Sequence, residues 1–366
     1  MLYALGSNGS GQLGIGHLED VPTPTPISGG SERHPLLGSS KGIDRIVAGG
    51  NHTLVLDKDG IVSATGEKTD GRCGLVCNES SAQLRPLMVD VDPVQQSGRP
   101  LGIEHLAATW AASVFVEVGG EIVSVCGTGE SGELGLGTGV KVAKERMAIE
   151  GFPPTGTKVV LVAACMAHVV AVLSNGEVWG WGKGRKGQLG EPCIDVWQPR
   201  KIEGVPFQAV TAVCGKDFTC VLGAPSSGEI LLLGPKGNDR FGVRANALSA
   251  VPDWKSITAS WGSVFVLMET GKILAWGRND HGQLPSRSLP KIAKLAAGSE
   301  HCIALSSDGR VLAWGWGEHG NCGQPTHGQG DVKSGYNQLP VDGEVDNVFA
   351  GCATSFISTV DDHDTD

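Results

Sequence analysis

The sequence has little of what membrane-spanning, secreted and nucleic-acid-binding proteins need. Its 366 residues contain no run of 18 apolar residues, so we expect no membrane span. The N-terminus shows no basic stretch followed by an apolar one, which argues against a secretory signal and favours the cytosol, with the nucleus as a second compartment. Lysine and arginine total 29 against 39 aspartates and glutamates, a net charge of −10. That balance disfavours wrapping around nucleic acid, because such binding needs cations against phosphates. The one tight basic stretch, residues 183–186 (KGRK), is interpreted as a solvated loop.

Metal-site spacing and catalytic groupings are also missing. Among ten cysteines the only close pair is Cys73 and Cys77, and no second pair stands at zinc-site spacing. Most other cysteines lie in apolar runs, where a reduced thiol behaves as a small hydrophobic residue. No Ser-His-Asp or Cys-His arrangement occurs at a recognisable spacing. Residues 9–14 match the dinucleotide fingerprint G-x-G-x-x-G, but no helix pattern follows them. We therefore expect no catalytic residue, no metal, no cofactor and no enzyme activity.

Glycine is the residue in excess. The chain has 55 glycines, about twice the usual share of roughly 7%. They recur as a signature in which a second glycine follows the first by five residues and a third follows by three more. Seven copies begin at positions spaced 38 to 61 residues apart: Gly6, Gly66, Gly127, Gly182, Gly234, Gly277 and Gly315. Asp239 replaces the middle glycine of the fifth copy, and Pro285 replaces the last glycine of the sixth. A period of this kind predicts a repeat architecture.

Two short apolar strands joined by a tight turn precede the signatures. Turns such as 57–60 (DKDG) and 174–176 (SNG) favour hairpins because glycine tolerates positive φ. A strand rich in alanine and glycine, for example 46–50 or 295–298, comes before each hairpin, and small residues suit strands that converge on an axis. One hairpin cannot bury both of its faces, so the units must stack until the ring closes. The sequence therefore predicts an all-β fold, a seven-bladed β-propeller.

The two ends of the chain complete each other. The first signature has no inner strand before it, and the last inner strand, 348–352, has no signature after it. We therefore expect the C-terminus to supply the inner strands and the N-terminus the outer strand of one shared blade. Residues 1–360 are predicted to form a single propeller, and 361–366 an acidic disordered tail. Segments 21–41, 83–103, 141–158 and 324–346 are interpreted as long connections between blades.

Histidine and tryptophan are the side chains that stand out within the repeat. His52, His168 and His301 share one position, whose equivalents elsewhere are interpreted as Ala112, Asp217, Ser263 and Thr354. Equivalent residues of different blades diverge around a ring, so we expect each histidine to bond within its own blade rather than to join a metal site. Trp110 and Trp261 lie in loops after inner strands, and Trp316 lies within the seventh signature. Surface exposure, typical of binding hot spots, and packing against a neighbouring blade are both open for these three.

Taken together, the repeats resemble the regulator-of-chromosome-condensation family over nearly the whole chain. Segments at both ends are similar to a fungal branch of that family, the alpha-tubulin-suppressor group: 4–9 (ALGSNG), 49–52 (GGNH), 298–301 (GSEH), 314–323 (WGWGEHGNCG) and 351–354 (GCAT). The segment 314–323 is the most distinctive, because a blade signature does not require Glu318, His319, Asn321 or Cys322.

The resemblance implies a heterodimer with a small CSL-type protein that carries zinc or iron and transfers electrons. That pair supports diphthamide biosynthesis on elongation factor two and Elongator-dependent modification of wobble uridine in tRNA. The metal belongs to the partner, and Elongator would be reached through it, without direct contact of this chain with nucleic acid or membrane. The residues expected to bind the partner are Asn8, His52, Trp110, Trp261, Glu300, Trp316, Glu318, His319 and Asn321.

A second reading is a guanine-nucleotide exchange factor for a Ran-like small GTPase, as for the family's founding member. Exchange needs a protruding wedge, and docking on chromatin needs basic character. The sequence shows neither, and a basic N-terminal tail like that of the founding member is missing. An enzyme of another kind is a third reading, disfavoured by the lack of a catalytic grouping.

Overall fold

The computed structural model describes residues 1–27, 42–74 and 102–360, together with the backbone of a strand at 81–86. These residues form 26 β-strands in seven antiparallel sheets and no helix. Each sheet is one blade, and we number the blades by the signature copies that they contain. The structure is therefore the all-β, seven-bladed propeller that the glycine spacing predicts. The predicted acidic tail, 361–366, and Cys77 lie outside the described residues.

The strands follow one another blade by blade, apart from the two that begin the chain. These two are β1 (Leu2–Gly6) and β2 (Val21–Pro26). Blade 2 contains β3 (Ile43–Ala48), β4 (His52–Asp57), β5 (Val62–Gly66) and β6 (Ser81–Pro86). Blade 3 contains β7 (Ile103–Ala108), β8 (Ala112–Glu117), β9 (Val123–Thr128) and β10 (Val142–Ala148). Blade 4 contains β11 (Val159–Cys165), β12 (His168–Leu173), β13 (Val178–Gly182) and β14 (Val196–Lys201).

The remaining blades include the two that have only three strands. Blade 5 contains β15 (Thr211–Cys214), β16 (Thr219–Leu222) and β17 (Ile230–Leu233). Blade 6 contains β18 (Trp254–Ala259), β19 (Ser263–Met268) and β20 (Ile273–Gly277). Blade 7 contains β21 (Ile292–Ala297), β22 (His301–Ser306), β23 (Val311–Trp316) and β24 (Asp331–Leu339). The last strands, β25 (Val345–Ala350) and β26 (Thr354–Thr359), complete blade 1 in the order β2-β1-β26-β25.

Closure of the ring joins the two chain ends as predicted. Strand β1 pairs antiparallel with β26, from Leu2 opposite Ser358 to Gly6 opposite Thr354. The amino group of Met1 donates to the carbonyl oxygen of Thr359 at 2.9 Å. The C-terminal segment supplies the two inner strands, and the N-terminal segment supplies two outer strands where we predicted one.

The outermost strands are the main feature that the sequence reading missed. Four of the five segments that hold them, β2, β6, β10 and β24, overlap stretches interpreted as connections between blades. The interpretation was wrong because these strands lie at sheet edges, where proline and polar residues are tolerated. Strand β2 reads VPTPTP and still pairs with β1. Edge strands carry no clean apolar alternation, so periodicity gives little sign of them.

The first glycine of each signature has a steric reason. At Gly66 φ is +100°, and an added Cβ would lie 2.3 Å from the carbonyl oxygen of Asn51. The equivalent Gly277, with φ +114°, would place its Cβ 2.3 Å from the carbonyl oxygen of Gly262. At this glycine the third strand of the blade ends, and its backbone contacts the loop between the first and second strands. Only glycine allows both the positive φ and the close approach.

Candidate functional site

Antiparallel pairing brings two sets of loops to one side of the ring. The loop between the first and second strands of a blade and the signature that follows the third strand lie at the same strand end. In blade 7 the backbone N–H of Trp316 donates to the carbonyl oxygen of Glu300 at 2.9 Å, and in blade 6 Arg278 donates to Gly262 at the same distance. We call the side formed by these loops the signature face. All nine residues predicted to bind a partner belong to its loops or to the strand ends beside them.

Two tryptophans meet at the centre of the signature face. Trp110 of blade 3 and Trp261 of blade 6 come from opposite sides of the ring, and their ring centroids lie 6.2 Å apart at 46°. Below them an axial cavity of ≈ 230 Å³ is lined by the inner strands of all seven blades. Trp110 is 41% exposed, the most of any tryptophan in the described chain, and Trp261 is half-buried. The structure thus brings these two predicted residues together, with indole surface open to solvent.

Backbone hydrogen bonds between blades hold the two tryptophan loops. Trp110 donates to the carbonyl oxygen of Met166 at 2.7 Å, and Trp261 donates to that of Ser299 at 2.9 Å. The Trp110 indole covers Gly50, where an added Cβ would lie 2.5 Å from Cε2. The Lys216 ammonium lies 5.5 Å from the Trp261 ring centroid, a cation–π contact. The pair is therefore fixed in position before any partner arrives.

Trp316 belongs to a second aromatic site, at the junction of blades 6 and 7. Its ring stacks on His281, with centroids 4.7 Å apart and planes at 14°. His281 Nδ1 lies 2.7 Å from Oδ1 of Asp331, and Asp331 also pairs with Lys333 at 2.6 Å. Trp316 Nε1 donates to the carbonyl oxygen of Gln329 at 3.0 Å. Trp316 is half-buried, and its one polar group already has a partner, so it offers mainly an apolar ring.

Glu318 and His319 stand at the outer side of this second site, and both are exposed. His319 Nδ1 lies 2.8 Å from Oδ2 of Asp20, which links the signatures of blades 7 and 1. Together with Trp316 they form the exposed part of the segment 314–323.

Four of the nine predicted residues are buried and need correction as contact residues. Asn8, His52, Glu300 and Asn321 are each 3% exposed or less. The Asn8 side chain donates to the carbonyl oxygens of His17 and Glu19 and accepts from the backbone of Leu13, so it shapes its own signature loop. Asn321 donates to the carbonyl oxygen of Trp316 at 2.9 Å. These side chains are used by the fold and present no surface to a partner.

Glu300 is held by residues from the neighbouring blade. Gln283 of blade 6 donates to it at 2.9 Å, and Arg278 forms an ion pair with it. Burial raises the pKa of Glu300, and the bonds from Gln283 and Arg278 oppose that rise. Neither Arg278 nor Gln283 was singled out from the sequence, although both lie in the sixth signature, in which Pro285 replaces the last glycine.

The three repeat histidines bond between blades, so the expectation of bonds within one blade was wrong. Each Nε2 meets a hydroxyl of the next blade: His52 with Ser113 at 2.9 Å, His168 with Thr219 at 3.1 Å and His301 with Ser355 at 2.9 Å. Burial lowers their pKa values to about 3, about 3 and about 4. They serve as ties between blades.

The sequence did contain a signal for these ties. The hydroxyl residue follows, by one position, the histidine-equivalent residue of the next blade. In blade 5 the equivalent of the histidine is Phe218, and the prediction of Asp217 was wrong. Thr219 pairs with Leu233, which places Phe218 opposite the first glycine of the signature. The carbonyl oxygen of Phe218 also accepts from the N–H of Gly215, as that of His52 accepts from Gly49. The Phe218 side chain cannot form a hydrogen bond to blade 6, and Val264 of blade 6 occupies the position at which blades 1, 3 and 5 supply a hydroxyl.

A metal-binding cluster and a membrane-spanning helix are both absent from the residues that the structure describes. No cluster of three or more His, Cys, Asp or Glu side chains could hold a metal ion there. In the same ranges no helix has the length and apolar character to cross a bilayer.

Known proteins resemble the chain over most of its length. It is 31% identical over 314 residues to an RCC1 repeat-containing protein of Schizosaccharomyces pombe, covering 83% of this chain and 84% of the relative. It is 28% identical to the mouse secretion-regulating guanine nucleotide exchange factor over 83% of this chain, which spans 65% of that relative's length. Among solved structures, Prp20p of Saccharomyces cerevisiae matches with a TM-score of 0.82 at 21% identity, covering 99% of this chain and 92% of that one.

The family assignment rests on the similarity to the Schizosaccharomyces pombe protein together with a match to a family model. The model of the RCC1-like domain covers residues 1–357. The resemblance read from the glycine signature is thereby confirmed, and the chain belongs to the RCC1-like domain family.

Proposed function

We propose that the chain is a non-catalytic scaffold whose signature face binds a small CSL-type zinc or iron protein. In this proposal the partner carries the metal and the electrons, and the propeller holds it in position. The pair would support diphthamide biosynthesis on elongation factor two and, through Elongator, modification of wobble uridine in tRNA. The resemblance of the end segments to the alpha-tubulin-suppressor group supports the choice of partner.

The observation that carries the proposal is the tryptophan pair at the axis. Two large apolar rings open to solvent are unusual at the surface of a protein that has abundant core in which to bury them. Their loops are already fixed by bonds between blades, so binding would cost little conformational entropy. Rigid, preorganised tryptophans near the centre of a face are typical of interface hot spots. Trp316, with Glu318 and His319, extends this surface toward blades 7 and 1.

The proposal is tested by measuring the affinity of the purified chain for a recombinant CSL-type zinc protein by isothermal titration calorimetry. Replacing both Trp110 and Trp261 by alanine is expected to weaken binding by about a thousandfold, since hot-spot residues contribute about 2 kcal/mol or more each. Trp179→Ala is the matched control, because Trp179 lies on β13, away from the central loops, with its ring tilted against that of Phe152 at a centroid distance of 5.6 Å. No binding by the wild-type chain, or equal affinity of the double variant, would overturn the proposal.

A second candidate function is nucleotide exchange on a Ran-like small GTPase. Its support is the 28% identity to a protein named as a guanine nucleotide exchange factor. The test is release of a fluorescent GDP analogue from a Ran-type GTPase with catalytic amounts of the chain. Acceleration of release well above the intrinsic rate would favour this function over the scaffold.

A further inference from the structure

The signature loops of blades 4 and 5 touch each other and concentrate positive charge. The backbone N–H of Lys236 donates to the carbonyl oxygen of Lys186 at 2.7 Å, so the two loops are joined. Seven cations lie on these loops and on the adjoining inner loop of blade 5: Lys183, Arg185, Lys186, Lys216, Lys236, Arg240 and Arg244. We call this set the basic arc. It contains residues 183–186, the stretch interpreted from the sequence as a solvated loop.

About half of the basic arc is neutralised locally. Arg185 pairs with Asp195 at 2.7 Å, Lys183 approaches Asp217 at 4.0 Å, and Lys236 pairs with Glu191. The other four cations, Lys186, Lys216, Arg240 and Arg244, are exposed and have no ion pair with any residue of the described ranges. Asp239 gives its carboxylate to the backbone N–H groups of Arg244 and Ala245, so it caps the loop instead of pairing with a cation.

Exposed carboxylates lie on the opposite side of the signature face. Loops of blades 7 and 1 carry three exposed carboxylates, Glu19, Asp20 and Glu318. The chain as a whole has a net charge of −10, so an exposed positive patch on it runs against the bulk composition. The charged groups of the four unpaired cations make no ion pair within the described ranges; Lys216 and Arg240 lie instead over the rings of Trp261 and Phe241.

The basic arc also reaches the central aromatic pair. Lys216 donates its backbone N–H to the carbonyl oxygen of Trp261 at 2.9 Å, and its ammonium lies over the Trp261 ring. A partner seated on the tryptophans would therefore lie within reach of Lys216 and, beyond it, of the loops of blades 4 and 5.

We infer that the basic arc is a docking surface for an acidic protein segment, which approaches the signature face from the side of blades 4 and 5. The inference deepens the proposed function by giving the chemistry of the partner's contact, and it rests on that function only for the use of the same face. Carboxylates of the chain, Glu191, Asp195 and Asp217, interrupt the cations, so the arc is not a continuous track for phosphates. Carboxylates of a partner can bind the four open cations between those interruptions, and such pairing increases the association rate and specificity.

The test measures binding of a fluorescent deca-glutamate peptide by anisotropy at low and at physiological salt. Lys186→Glu with Arg244→Glu is expected to weaken binding at low salt by about tenfold or more, because two attractions become repulsions. The matched control is Lys272→Glu with Lys291→Glu, which makes the same change of net charge at exposed positions on the hairpin-turn side of the ring. The control is expected to bind within about twofold of wild type.

Equal loss of peptide binding in both double variants would overturn the inference, because only net charge would then matter. Equal or tighter binding of a labelled single-stranded RNA that the arc variant abolishes would also overturn it, in favour of a nucleic-acid surface. The peptide does not depend on the CSL-type protein. Failure of that protein to bind wild type would therefore contradict the proposed function alone, and failure of the arc variant to alter peptide binding would contradict this inference alone.

Discussion

The two sides of the signature face use their polar residues differently. Around blades 6, 7 and 1 the charged and amide groups bond to one another, as Arg278 does with Glu300 and His319 with Asp20. Around blades 4 and 5, four exposed cations lack such bonds within the described ranges. A distinctive residue in a repeat signature is therefore first to be explained by contacts between blades. Exposed polar residues that make no such contacts are the better guide to a partner-binding surface.

Trp314 and Trp316, two positions apart, give the largest test of that distinction. Trp314 is fully buried and donates to the carbonyl oxygen of Gln283, whereas Trp316 is half-buried on the signature face. Trp314→Ala is expected to lower the free energy of unfolding by about 3–5 kcal/mol, and Trp316→Ala by about 1 kcal/mol. Urea denaturation measures both. A loss from Trp316→Ala as large as that from Trp314→Ala would show that Trp316 belongs to the core and not to a binding surface.

The histidine ties predict a loss of stability in mild acid. Because burial lowers the pKa of His52, His168 and His301 from 6.5 to about 3, about 3 and about 4, the unfolded chain binds more protons than the folded one below pH 6.5. Stability should therefore fall as the pH decreases from 6.5 toward those folded values, by about 3 kcal/mol at pH 5.5 for the three together.

His168→Phe sharpens the same prediction, because blade 5 already uses Phe218 at the equivalent position. This variant should lose about one third of the pH dependence, measured as the slope of unfolding free energy against pH between 6.5 and 5.5. An unchanged slope would show that protonation of His168 does not contribute to the pH dependence of stability.

Arg278 tests the buried side of the junction between blades 6 and 7. Arg278→Ala leaves the carboxylate of Glu300 buried with Gln283 as its remaining partner, which we expect to cost about 2–3 kcal/mol of stability. Adding Glu300→Gln should recover part of that loss, since a neutral amide is cheaper to bury. A double-mutant cycle measured by thermal denaturation gives the coupling, and additive effects would mean that the two side chains do not act as a pair.

His319 gives the smallest expected effect on stability. Its pair with Asp20 is exposed on both sides, so His319→Ala should change the free energy of unfolding by about 0.5 kcal/mol or less. A clear loss of affinity for the CSL-type protein in the same variant would place His319 in the contact surface. Unchanged affinity would limit the contact to the tryptophans.

Sequence reasoning succeeded where local chemistry decides the structure. The glycine spacing gave the ring and its closure because Gly66 and its equivalents must combine positive φ with a close approach to the preceding loop. The sequence did not predict which face binds; in the structure the nine predicted residues lie on one face, because the loops of antiparallel strands alternate between the two sides.

The burial of polar side chains and their hydrogen-bond partners in neighbouring blades could not be predicted in the same way. Glu300 is buried by Arg278 and Gln283, which belong to a different repeat, and nothing within residues 298–301 indicates this. The edge strands were missed because strands such as β2 carry proline and polar residues without alternation. The hydroxyl partners of the histidines were predictable in principle, but only by comparing each blade with the next one along the ring.

The pairing of β1 with β26 has a consequence for synthesis on the ribosome. Strand β1 is synthesised before the other strands of the propeller, and its inner neighbour lies more than 350 residues later in the chain, as the bond from Met1 to Thr359 shows. At translation rates of about 5–20 residues per second, β1 waits roughly 20–70 seconds with that edge unpaired. While the propeller is being synthesised, the nascent chain therefore exposes this edge of β1. Chaperones that shield strand edges should matter more for this protein than for one whose first strand pairs only with the strand that follows it.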